Sequence, residues 1–144
     1  MTRRESRASA FCVVFGMTMN PMDAKEALFL AKETGEPEID EFSSNLVTAV
    51  YRYNAEITSK FKPFLKGWSV ERISKASLAV LLISCAQLYY WDEIVGVGGA
   101  ESDEWSDSII INEAVELAKR YGNEDDYAFI NGVLGSIVRQ EPGE

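Results

Sequence analysis

The sequence predicts an all-α fold of about six to seven helices. Three features carry that prediction. Apolar residues recur at helical spacing over long stretches, as in Phe42, Leu46, Val50, Tyr53, Ile57 and Phe61. Cap signals punctuate these stretches, from Thr2 with Glu5 to Gly35, Ser69 and Gly122. No segment alternates apolar and polar residues as a half-buried strand would. A chain of 144 residues with 47% hydrophobic content suffices for one packed domain, or two small subdomains sharing a core.

The first helix starts at Arg3. Thr2 is its N-cap and Glu5 the third helical residue, a capping box. Arg3, Arg4 and Arg7 lie three and four residues apart, so their guanidinium groups share one face of the first two turns. Cations at a helix N-terminus oppose the macrodipole by roughly 0.3–1 kcal/mol each when exposed. Something other than helix stability therefore favours them.

Asn20-Pro21 ends the first helix and starts the second, with proline at its first position. The second helix runs to about Thr34, with Gly35 as its cap. A polar turn, Glu36-Pro37-Glu38, leads into the third, which keeps its period to Phe61 and is broken by Pro63. Phe64, Leu65 and Trp68 read as core at the junction between two halves. Ser69 is positioned to cap the next helix, about Val70 to Asp92. Its middle is apolar all round, the mark of a central helix packed on several sides. Tyr89, Tyr90 and Trp91 at its end read as core or rim packing, with base stacking as the alternative.

Gly96 to Ser108 reads as a loop rich in glycine, serine and acids. Its glycine run at 95–99 lacks the Gly-Lys-Ser/Thr ending of a phosphate loop, and no strand precedes it. In the helix that follows, Ile111, Ala114, Val115, Ala118 and Tyr121 fall on one side. Asn112, Glu113, Glu116 and Arg120 fall on the solvent side, and Gly122 is placed as a left-handed C-cap. The last helix begins near Asp125, buries Ile130, Val133, Leu134 and Ile137, and frays from Gln140.

Composition narrows the chemistry. There is no histidine, which removes histidine triads and histidine metal sites. Carboxylates such as the Glu113 and Glu116 pair read as solvated, so no catalytic residue, metal or cofactor is expected. Cys12 and Cys85 sit in apolar runs and read as buried free thiols, which fits a cytoplasmic protein. No signal peptide is visible, and Ala76 to Trp91 is too short for a membrane span. The net charge of −9 argues against general nucleic-acid affinity. The charge is uneven, however: residues 1–7 carry three arginines against one glutamate. A local basic tip can grip RNA with strong salt dependence.

Several strings resemble one family. INEAVELAKRYG at 111–122, followed by FINGVL at 129–134, is similar to the C-terminal signature of the NusB family of bacterial transcription antitermination factors. The basic opening from Arg3 to Ala10 with Phe15, the segment Phe61 to Leu65 with Trp68, Arg72 and Ile73, and Leu78 to Leu81 occur in the family's order. The resemblance implies a NusB-like domain over 1–144, built as two small helical bundles packed side by side. Their extents would be about 1–67 and about 68–140. It also implies partnership with the ribosomal protein NusE, binding of boxA-like single-stranded RNA and entry into the RNA polymerase antitermination complex on rRNA operons, without enzymatic activity. A homodimer is a further possible assembly.

By position, the resemblance places Arg3, Arg4, Arg7 and Phe15 against RNA. It places Ser77, Asp125 and Phe129 on the partner and RNA surface. The chain departs from the family pattern at Cys12, often glutamine, and at Ser77, usually an acid. Leu82, Ala86 and Gln87 replace a common arginine, tyrosine and glutamate, and the loop between Ile94 and Ile109 is longer than usual. The departures on the central helix and adjoining loop fall where partner contacts are expected. A protein-interaction module of the same fold, with little or no RNA binding, is the alternative reading.

Overall fold

A computed structural model describes residues 1–96 and 105–140. Among the described residues there are eight α-helices and no strand: α1 Arg3–Met19, α2 Ala24–Thr34, α3 Glu41–Arg52, α4 Asn54–Phe61, α5 Lys75–Tyr89, α6 Trp91–Val95, α7 Asp107–Tyr121 and α8 Glu124–Arg139. A 3-10 turn, Lys62–Phe64, follows α4.

The start of α1 is as its sequence dictates. Thr2 Oγ1 accepts from the Glu5 amide at 3.1 Å, and the Thr2 amide donates to Glu5 Oε1 at 2.7 Å. Gly35 closes α2 at φ 76°, in the left-handed region where glycine costs nothing.

Other boundaries differ from the sequence expectation, each for a local reason. α2 starts at Ala24 rather than Pro21, because the Asp23 carboxylate accepts from the Glu26 amide at 2.8 Å and provides a better cap. The third predicted helix is two helices: Tyr53 leaves helical geometry at ψ 20° while still donating to Ala49 O. α5 starts at Lys75, capped by Ser74 rather than Ser69; Ser74 Oγ accepts from the Ser77 amide at 3.0 Å. Tyr90, at φ −132°, separates α5 from α6. Gly122 is extended rather than left-handed, at φ −108° and ψ −165°. Trp68, read as core, is 55% exposed, while Phe64 and Leu65 are buried as expected. The glycine-rich run from 97 onward, the acids at 101–104 and the tail after Gln140 lie outside the described residues.

The centre of the molecule is α5. It packs against α1, α3, α4, α7 and α8. Ala79, Val80, Leu81, Ile83, Cys85 and Ala86 are fully buried, on every side of the helix. One buried cluster joins them to Phe11, Leu46, Ile57 and Phe61 on one side and to Ile110, Ile130 and Leu134 on the other. Each such Leu, Ile or Phe contributes roughly 1.5–3 kcal/mol by leaving water. Among the described residues, no helix is long and apolar enough to cross a membrane. Both cysteines are free; Cys85 is buried, whereas Cys12 is only half-buried.

Candidate nucleic-acid interface

The opening arginines share one helix face, as their spacing requires, but that face is docked rather than open. Arg3 lays its guanidinium carbon 4.1 Å from the centroid of the Phe42 ring on α3, a cation–π contact. Arg4 reaches Glu113 on α7: Nη2 donates to Oε2 at 2.8 Å and Nε to Oε1 at 3.2 Å. This hydrogen bond, with the charge behind it, pushes the Arg4 pKa up. The Arg4 side chain stays 70% exposed.

Arg7 differs from its neighbours. Its Nε donates to Gln87 Oε1 on α5 at 2.6 Å, its Nη1 lies 3.7 Å from Glu113 Oε1, and its side chain is 5% exposed. The Gln87 amide nitrogen donates in turn to Ile83 O at 3.0 Å, which aims Oε1 at the arginine. The expectation of three guanidiniums open to solvent is therefore corrected at Arg7. It approaches both Phe42 and Glu113 and so holds its two neighbours' partners together. Glu113, expected on the solvent face, is nearly buried because two arginines converge on it. Arg120 and Glu116 line the same shallow cleft beside Arg4.

Phe15 is half-buried, with its ring 5.7 Å from that of Phe11. Phe11 stacks in turn on Tyr121 at 4.6 Å. The exposed member of this aromatic row is Tyr121, which the period of its helix marked as core.

Ser77, Asp125 and Phe129 come together in a second cleft of about 410 Å³, with Trp68, Arg72 and Ser74 on its walls. Ser77 is buried rather than on the surface: its hydroxyl donates to Asp126 Oδ1 at 3.1 Å. Ser74 Oγ donates to the same oxygen at 3.0 Å, while Asp126 Oδ2 accepts from the Asn123 amide at 2.9 Å. Asp126 thus ties the N-termini of α5 and α8 and sets where Asp125 and Phe129 project. From the sequence, Trp68 reads as core and Arg72 only as part of the family resemblance, and Asp126 is not singled out. The signal for Asp126 was there, since Asn123 and Asp126 have capping-box spacing.

The two clefts are linked by α5. Ser77 lines one and Gln87 braces the other, ten residues or about 15 Å apart along the helix. Among the described residues no group of acids and cysteines is arranged to hold a metal ion.

The model of the NusB family matches residues 4–139. Transcription antitermination protein NusB of Listeria monocytogenes serotype 4a (strain HCC23) is 32% identical over 141 residues, covering 98% of this chain and 99% of the relative. The protein of the same name from Staphylococcus haemolyticus (strain JCSC1435) is 36% identical over 140 residues, covering 95% and 99%. A chain of the crystal structure of antitermination factors NusB and NusE in complex with dsRNA superposes with a TM-score of 0.77 at 22% identity, covering 96% of each chain; the likeness is one of fold.

Proposed function

The chain belongs to the NusB family, and on that premise we propose that it is an RNA-binding transcription antitermination factor. In this reading it acts in the cytoplasm with a NusE-type ribosomal protein on boxA-like single-stranded RNA. It thereby modifies RNA polymerase elongation on rRNA operons. The observation that carries the reading is the match of the whole helical body, residues 4–139, to that family. Likeness of fold to a NusB seen with NusE and dsRNA supports its coarser part, an RNA-binding protein that pairs with NusE.

The chemistry of the tip is compatible. Arg4 offers an exposed planar fork whose approach is fixed by Glu113, and such forks suit phosphate oxygens and stack on unpaired bases. Arg3 adds charge beside it. Arg7 contributes from below, as the brace that holds this corner to α5 and α7. Phe15 belongs to the aromatic row beneath the tip. Asp125 and Phe129 take the joint partner and RNA side, on a cleft whose floor is set by Ser77 and Asp126.

The burial of Arg7 and the net charge of −9 favour a second reading, a protein-interaction module without RNA function. Co-purification with the cognate ribosomal protein, followed by a gel shift of boxA-like RNA, separates the two. The leading reading expects a ternary band. The alternative expects the protein pair with no shift of RNA.

A further inference from the structure

We propose that the connector between α4 and α5, together with the helix ends that flank it (residues 60–75), is a second contact for single-stranded RNA. Trp68 would stack on an unpaired base, with Arg72 and the neighbouring lysines holding the flanking phosphates. The inference rests on the RNA-binding reading above and adds a site to it.

Charge is the first observation. Lys60, Lys62, Lys66, Arg72 and Lys75 face a single acid, Glu71, in a chain of net charge −9. All five cations are exposed. Among the described residues no carboxylate lies within ion-pair distance of Lys62, Lys66, Arg72 or Lys75. The connector is thus more strongly basic than the N-terminal tip, where Glu113 offsets Arg4 and Arg7.

The second observation is Trp68. More than half of this large residue is in water, which leaves a broad aromatic face open to a stacking partner. It stands at the mouth of the cleft that contains Arg72 and Phe129. The chain is turned there by two consecutive left-handed residues, Lys66 at φ 54° and Gly67 at φ 89°. Lys66 has a side chain in a region that L residues rarely adopt, so the turn that presents Trp68 is held against a local preference.

Aromatic rings interleaved with cations are the pattern that grips single-stranded nucleic acid, because every base has a π-face and every nucleotide a phosphate. A duplex keeps its bases stacked and would leave Trp68 without a partner. The cleft also carries the exposed carboxylate of Asp125. That group repels the side chains of an acidic peptide but accepts a hydrogen bond from a base N–H, such as N3–H of uracil. The base therefore belongs in the cleft and the phosphates on the outer lysines.

The test uses the full chain and a fluorescein-labelled uridine dodecamer, read by anisotropy across a salt series. Trp68→Ala should weaken binding about tenfold, and Trp68→Phe, which keeps a stacking face, by less than about threefold. Lys62→Glu with Lys66→Glu should weaken it further and flatten the slope of log affinity against log salt by about 1.4, at roughly 0.7 per phosphate contact. All the substituted side chains are exposed, so thermal melts should stay unchanged, and the lysine pair tests the site even if Trp68→Ala misfolds.

Unaltered affinity and slope in both the tryptophan and the lysine variants, with binding lost in Arg4→Glu, would overturn this inference and leave the antitermination reading standing. No RNA binding by the unaltered chain, alone or with the cognate ribosomal protein, would overturn both. A lysine pair that loses an acidic peptide but not RNA would overturn it in favour of a protein partner.

Discussion

Arg7 Nε donates to Gln87 Oε1 at 2.6 Å between two side chains that are almost wholly buried. This bond joins the basic opening of α1 to the centre of the core, and it makes Arg7 a brace beneath Arg3 and Arg4. Arg7→Ala would leave the Gln87 carbonyl unsatisfied and Glu113 with one cation fewer. A loss of about 2–4 kcal/mol is expected, read as a lower denaturation midpoint in urea. Arg4→Ala, at an exposed and solvent-screened pair, should move the midpoint far less. Equal midpoints for the two variants would remove the brace.

Gly122 is needed for space rather than for a left-handed turn. A Cβ there would lie 2.6 Å from Asp126 Oδ2 and 2.9 Å from the carbonyl oxygen of Ala118. The backbone oxygen cannot swing away as a side chain can. Gly122→Ala should cost roughly 1–3 kcal/mol by overpacking. It should also loosen the Asn123 cap, seen as a lower melting temperature and faster amide exchange in the first turn of α8.

Acid should act through Asp40. Burial pushes its carboxyl up, but hydrogen bonds from Ser6 and Ser43 outweigh burial, and the net pKa is below the ordinary range. A group depressed in the folded state adds stability above its unfolded value, near 4, and loses it as pH falls through the folded one. Stability should therefore drop on acidification below about pH 4. Asp40→Asn should be less stable at neutral pH and show a shallower acid limb in a pH series of melts.

Burial raises the Cys85 thiol to about 12. An unfolded thiol ionises near 8.5, so folding loses this contribution as pH rises above about 8.5, and Cys85→Ala should show a flatter alkaline limb. At pH 8 a thiol dye should label Cys12, half-buried beside Tyr121, and spare Cys85 until denaturant is added. Equal labelling of both in the folded protein would contradict the burial.

Much of the fold was legible because it depends on local patterns. The Thr2–Glu5 box, the left-handed Gly35 and the all-round apolar run of α5 are each written in a few neighbouring residues. Boundaries were lost where two caps compete, as at Ser69 against Ser74, since the choice depends on Asp126 some fifty positions away. The site was less legible for the same reason. Nothing near Arg7 in sequence announces Gln87 or Glu113, eighty and more residues on. The exposure of Trp68 depends on a turn at Lys66 and Gly67 that no apolar period records. The connector's basic character was present in the sequence as charge, but it was split across two expected helices.

The central claim is that this acidic helical body grips single-stranded RNA through its opening arginines and does so better beside a ribosomal partner. The most direct measurement is the anisotropy of a boxA-like RNA titrated with the chain, with and without the cognate NusE-type protein, for the unaltered chain and Arg4→Glu. Weak binding alone, about tenfold tighter binding with the partner, and a loss of about tenfold in the variant are predicted. The same affinity in all arms, or none in any, would contradict it.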